Sequence, residues 1–146
     1  MKPAADKKSR VYIAGPLFTQ AERAFNEQVS TFFEERGYTT FLPQRDGLLL
    51  ADLLARGMTK EEALRRIFTL DVETIAGCDL FLFNLDGRVP DEGACVELGI
   101  AFAHKKRCIG LKTDCRTLME GLDNPLLLGP LQGRLARSVP ELARFL

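Results

Sequence analysis

Neither sign of charge is in excess in this chain: lysine plus arginine and aspartate plus glutamate number 20 each. Without a basic face to replace counterions, nucleic acid is not an expected partner. There are only four cysteines, at Cys78, Cys95, Cys108 and Cys115, with no C-x-x-C pair and no histidine in metal-finger spacing. That leaves no legible zinc site and no disulfide framework, so no metal is expected. No stretch approaches the roughly 20 apolar residues of a membrane span. The polar start MKPAADKKSR has no apolar core for export, and with scattered thiols it suggests a cytoplasmic protein. Phosphate-binding glycine motifs are missing as well. Gly15 is not part of a G-x-G-x-x-G fingerprint and no Walker A lysine motif exists, so dinucleotide or nucleoside-triphosphate use is unsupported.

What is there is a globular composition, 46% hydrophobic and 27% charged over 146 residues, enough for one domain with a real core. The expected organisation is a flexible N-terminus over 1–9 and a single domain over 10–146. RVYIAG (10–15) reads as a strand closed by Pro16, and Phe25, Val29, Phe32 and Phe33 fall at helical spacing before Gly37. YTTFLP (38–43) reads as a second strand with QRDG as the loop leaving it, and 48–55 as a short helix. Thr59 and Glu62 form a T-x-x-E capping box that starts a helix running to about Ala76. DLFLFNL (79–85) is a near-continuous apolar run, as in a central parallel strand covered on both faces. After the loop DGRVPDEG come a helix, a fourth strand RCIGLK (107–112), a mixed loop-like stretch and a final short helix over 138–146. The order β-α-β-α-β-α-β predicts an α/β doubly wound parallel sheet. Ligands in such sheets bind beyond the carboxyl ends of strands, which directs attention to the loops after Gly15, Pro43 and Leu85.

Glu97 stands out. In GACVELGIAFA (93–103) it is the only ionisable residue apart from Cys95, and a helix apolar all round is a buried helix. Its helical neighbours Gly93, Ala94, Ile100 and Ala101 leave room for a ligand over the carboxylate. The helix start favours its ionised form, and such a group suits nucleophilic attack. The alternative is a glutamate that reaches the surface between helices. On the preceding helix Leu64, Ile67, Phe68 and Ile75 share a face, with Asp71 near the centre of that stripe. A buried carboxylate needs hydrogen bonds or a function, so Asp71 is either structural or part of a cavity. Asp91 and Glu92 precede the Glu97 helix. Glu92 reads as a first-turn charge. Asp91 is an N-cap or a partner of Glu97, since two carboxylates flanking a glycosidic bond can divide attack and proton donation. Tyr12 is a core aromatic or a hydrogen-bond donor to a catalytic carboxylate. His104 and Cys95 read as a surface residue and a small buried one.

Four segments together, YIAGPLF (12–18), FLPQRDG (41–47), DVETIAGCDLFLFNLDGRVPDEGACVELGIAFA (71–103) and GLKTD…DNPLLLG (110–129), resemble the nucleoside 2-deoxyribosyltransferase family over nearly the whole chain. The most specific is the third, an aspartate and a strand followed by D-E-G-x-x-x-E-L-G. The resemblance implies a flavodoxin-like enzyme that moves 2-deoxyribose between nucleobases through a covalent intermediate and needs no cofactor. It implies that Glu97 attacks the anomeric carbon and that Asp91 protonates the departing base. Asp71 would bind sugar hydroxyls, Tyr12 orient the nucleophile, and Gly15 and Phe18 contribute to the substrate site. Asn124 resembles an asparagine lent to a neighbouring subunit's sugar site, which implies a homo-oligomer whose partners are a 2′-deoxynucleoside and a free nucleobase. The chain departs from some transferases in ending Arg144-Phe145-Leu146 rather than on an aromatic residue. From a sister group that hydrolyses deoxynucleoside 5′-monophosphates it departs in a first loop, GPLFTQ, that lacks arginine. A phosphate there would meet Asp91 and Glu92, which favours nucleosides. The competing expectations are an N-glycoside hydrolase of deoxynucleosides or their monophosphates, and a non-catalytic nucleoside-binding module.

Overall fold

The computed structural model describes residues 9–118 and 120–146, so the flexible N-terminus expected over 1–9 lies outside the described residues except for Ser9. The chain opens with β1 (Arg10–Ala14) and passes through a loop into α1 (Gln20–Glu34), which Thr19 and Glu22 start with a full capping box. The second strand, β2 (Thr39–Phe41), is shorter than expected, because Pro43 opens a helical turn, α2 (Pro43–Asp46). The stretch QRDG is therefore not a plain loop. Proline suits the first helical position, and the Asp46 carboxylate accepts from the Leu42 amide at 2.9 Å. Next come α3 (Leu50–Ala55) and the long α4 (Lys60–Gly77). The T-x-x-E box forms as the sequence predicts: Thr59 Oγ1 accepts from the Glu62 amide at 3.2 Å, and Glu62 Oε2 accepts from the Thr59 amide at 2.9 Å. Such caps contribute about 1 kcal/mol.

After α4 come β3 (Leu80–Asn84), α5 (Glu92–Ala103) and β4 (Arg107–Leu111). Two elements beyond β4 were not anticipated: α6 (Pro125–Leu131) lies in the stretch read as loop-like, and β5 (Leu135–Ala136) is a fifth strand. The chain closes in a 3₁₀ helix, Pro140–Phe145, where a short helix was expected. The five strands pair in parallel in the order β2-β1-β3-β4-β5, the flavodoxin-like arrangement of a doubly wound sheet. Strand side chains alternate between two cores. Val11, Ile13 and Leu82 pack with Val29 and Phe33 of α1 and with Leu142. Tyr12, Phe81 and Phe83 pack with Ile75 of α4, Leu98 of α5 and Leu131 of α6. Both faces of β3 are thus covered, and all five of its residues are buried, as its unbroken apolar run predicts.

The helices of the second core depart from expectation. An all-apolar α5 was expected to be buried throughout, yet Val96 and Phe102 are exposed and only Ala94, Leu98 and Ala101 of this helix are fully buried. On α4, Leu64 and Phe68 of the apolar stripe are also exposed, while Ile75 is buried. Helix α5 needs one face to cover the sheet, so apolar residues on its other side are left without a covering element among the described residues.

Candidate active site

A 2-1-3-4-5 sheet reverses its direction of growth between β1 and β3, and the crevice outside their carboxyl ends is where such folds bind ligands. The chain leaves β1 through Gly15 beside Asn84 at the end of β3; a Cβ on Gly15 would lie 2.7 Å from the Asn84 Cβ, so the two exits approach this closely only with glycine. Above them is a cavity of about 220 Å³. The loop after β1 contributes Gly15, Leu17 and Phe18, and the segment after β2 contributes Pro43, Gln44 and Gly47 to Leu49. Helix α4 presents Ile67 and Asp71, and the start of α5 presents Asp91, Gly93, Ala94 and Glu97.

Under this cavity Tyr12 donates its hydroxyl to Glu97 Oε1 at 2.6 Å, across 85 residues of sequence. The phenol is fully buried and held between Phe41 and Phe81, ring centroids 5.2 and 5.5 Å away. Burial, with Glu97 beside it, raises the Tyr12 pKa, so this side chain stays a donor. The Glu97 carboxyl is pushed up to about 7, first by burial and then by the Asp71 and Asp91 carboxyls, against the opposing pull of the Tyr12 hydrogen bond. The helix start, expected to favour the ionised form of Glu97, is opposed by burial. Glu97 lies in the second turn of α5, beyond the turn over which a helix terminus acts strongly, and desolvation prevails.

Asp71 projects into the cavity half-buried, its pKa raised by burial, and accepts no hydrogen bond among the described residues. Asp91 is the N-cap of α5, with Oδ2 accepting from the Ala94 amide at 2.8 Å, and it also lines the cavity. Glu92 is a first-turn charge outside it. Phe18 is 72% exposed at the rim. His104 is exposed at the C-terminus of α5, and Cys95 is half-buried. Asn124 is not brought to this cavity. It caps α6, accepting from the Leu126 amide at 2.9 Å, and lines a separate cavity of about 260 Å³ with Lys112, Arg88 and Arg116. Sequence reasoning missed Gln44, which lines the Glu97 cavity and is clamped by Asn26 Nδ2 at 3.1 Å and the Arg23 carbonyl at 2.9 Å. Its signal was its place just past β2, a strand whose carboxyl end points at the crevice. A larger groove of about 720 Å³ runs along α3 and α4 past Arg56, Arg65 and Arg66. None of Tyr12, Asp71, Asp91 or Glu97 lines it.

A family model described as nucleoside 2-deoxyribosyltransferase matches residues 11–131. No curated protein matches the sequence. Among solved structures, a conserved protein from Enterococcus faecalis superposes with a TM-score of 0.73 at 23% identity, covering 96% of this chain and 100% of that one. A 2-deoxyribosyltransferase from Leishmania mexicana gives 0.65 at 20% identity over 94% and 95% of the two chains. A CMP N-glycosidase from Clostridium botulinum gives 0.58 at 21% identity over 94% and 97%. At these identities the structures establish the shared fold.

Proposed function

The chain belongs to the nucleoside 2-deoxyribosyltransferase family, and from that premise we propose that it transfers 2-deoxyribose between nucleobases through a glycosyl-Glu97 intermediate. The observation that carries this reading is the half-buried Tyr12–Glu97 hydrogen bond beneath the cavity. Tyr12 occupies Oε1 and fixes the carboxyl, leaving Oε2 to attack the anomeric carbon of a bound deoxynucleoside. As the C1′–Oε2 bond forms, the C1′–N bond breaks with its electron pair going to the base, and Asp91 delivers a proton to the departing nitrogen through Oδ1. An incoming base then attacks C1′, releases Glu97 and returns a proton to Asp91. Two carboxyls divide attack and proton transfer, as in retaining glycosidases. Asp71, without a partner of its own, accepts from sugar hydroxyls, while Gly15 and Phe18 bound the site.

None of the residues lining the cavity is lysine, arginine or histidine, which supports nucleosides rather than 5′-monophosphates as substrates. The second reading, hydrolysis, uses the same residues with water as acceptor, and a CMP N-glycosidase among the similar folds favours keeping it. Asn124 lies outside the cavity of its own chain, and the exposed Leu64, Phe68, Val96 and Phe102 leave α4 and α5 with uncovered apolar surface. Both features support a homo-oligomer in which Asn124 serves a neighbour's sugar site. The four free cysteines fit a reducing compartment such as the cytoplasm.

The test is to incubate the protein with deoxyinosine and adenine and follow products by chromatography. Deoxyadenosine should form, and Glu97→Ala should abolish its formation. Free deoxyribose as the sole product would replace transfer with hydrolysis, and nucleoside binding without any turnover would leave a binding module.

A further inference from the structure

Elsewhere in the described chain, half-buried and buried carboxyls have donors. Glu22 is held by the Phe18 and Thr19 amides, Asp86 by the Thr113 and Asp114 amides, Asp114 by Arg116, and Asp123 by Lys112. The cavity is the exception. Asp71 accepts nothing, Glu97 has one oxygen free, and Asp91 uses one oxygen on its own helix. Three carboxyls face a cavity of about 220 Å³ with no cationic side chain among its lining residues. Like charges in a poorly solvated space oppose one another, and a neutral ligand leaves that repulsion in place. A positive ligand relieves it.

Resting on the reading of this cavity as a deoxyribosyl-transfer site, we propose that it also exchanges the bases of permanently cationic N-glycosides, the pyridinium 2-deoxyribosides, and does so without the proton that Asp91 supplies to neutral bases. In such a substrate the glycosidic nitrogen already carries the charge. Glu97 Oε2 bonds to C1′ while the C1′–N⁺ bond breaks, its electron pair neutralises the ring nitrogen, and a neutral pyridine leaves with no proton transferred. A second pyridine attacks C1′ with its lone pair, the C1′–Oε2 bond breaks, and the product is again a pyridinium deoxyriboside with Glu97 restored. No oxidant, metal or proton enters either half. The Asp71 carboxyl then acts by charge, stabilising both the bound cation and the positive charge that develops at C1′, and Asp91 has no proton to supply.

The experiment has two arms. The first gives the wild type and Asp91→Asn deoxyinosine with adenine. The second gives the wild type, Asp91→Asn and Glu97→Gln nicotinamide 2′-deoxyriboside with 3-acetylpyridine, each against an enzyme-free blank. Asparagine caps a helix as well as aspartate does, and thermal melting confirms that the variant folds. Asp91→Asn is expected to lose at least a hundredfold in the first arm, the scale of a general acid, but less than about tenfold in the second. Glu97→Gln should lose the second arm. No exchange above the blank by the wild type, or equal losses in both arms for Asp91→Asn, overturns the inference. A productive first arm with a silent second leaves the transfer of neutral bases standing and removes only the cationic activity. The reverse pattern supports the inference and removes neutral-base transfer.

Discussion

Two ionisable groups, one buried and one half-buried, sit at the carboxyl edge of the same sheet and are treated in opposite ways. Lys112, just past β4, is 3% exposed and meets Asp123, itself 8% exposed, in a buried ion pair. Glu97, on α5, faces no cation among the described residues; it has one hydroxyl donor and two further carboxyls for company. The first is a charge whose counterion makes burial tolerable, and it holds the segment before α6 against the sheet. The second is left electrostatically uncompensated, a state that the proposed transfer reaction would use. The two differ in charge compensation rather than in residue type or setting, since both are ionisable and both line cavities.

The contrast can be broken most forcefully at Lys112. Asp123→Ala strands a buried ammonium, and breaking a buried pair in this way costs about 3–5 kcal/mol. Urea unfolding at pH 7 should register that loss, and Lys112→Met combined with Asp123→Leu should recover most of it, because an apolar pair removes the stranded charge. A double variant no more stable than Asp123→Ala would mean that the pair holds the loop by geometry rather than by charge compensation.

Glu97 should respond in the opposite direction. Its carboxyl moves from an ordinary 4.5 to about 7 in the fold, so between those values the folded state binds a proton that the unfolded chain has lost, and stability falls as pH rises. Below about pH 4.5 the group costs nothing; above about 7 the cost is complete, about 3 kcal/mol. Glu97→Gln, which keeps the acceptor for Tyr12, should therefore raise the melting temperature at pH 8 and leave it unchanged at pH 4, while abolishing transfer. A melting difference independent of pH would show that the substitution acts by packing.

How much of this was legible follows the same division. The core strands were read from apolar runs, and α4 from Thr59 and Glu62, because strand burial and capping leave local signatures. Strand β5 escaped because two residues carry no period. Helix α6 escaped because Pro130 inside it masked the start signal that Asn124 and Pro125 supply. The apolar stripe of α4 was legible, but its meaning was not: a stripe that meets the core and one left exposed at Leu64 and Phe68 look alike in sequence. Glu97 was found as a carboxylate among apolar residues. Its unpaired state was hidden, since Tyr12, Asp71 and Asp91 converge only when β1 pairs with β3 and α4 packs beside α5.

The finest test of that convergence is Tyr12→Phe. The ring remains between Phe41 and Phe81, so the fold should hold and the change is confined to one hydroxyl. That hydroxyl favours the charged form of Glu97 against burial, Asp71 and Asp91, the groups that face it from β1, α4 and the start of α5. A hydrogen bond to a charged group contributes about 1.5–3 kcal/mol, so its loss should lift the Glu97 pKa by about one to two units. In a profile of kcat/KM against pH, the acid limb of the wild type should have its midpoint near 7. In Tyr12→Phe the limb should move upward by that amount, giving about a tenfold loss at pH 7 that largely recovers by about pH 9. A lowered plateau with an unmoved midpoint would mean that Tyr12 only aims the carboxyl. Movement of the limb means that it also sets how much of Glu97 is ready to attack.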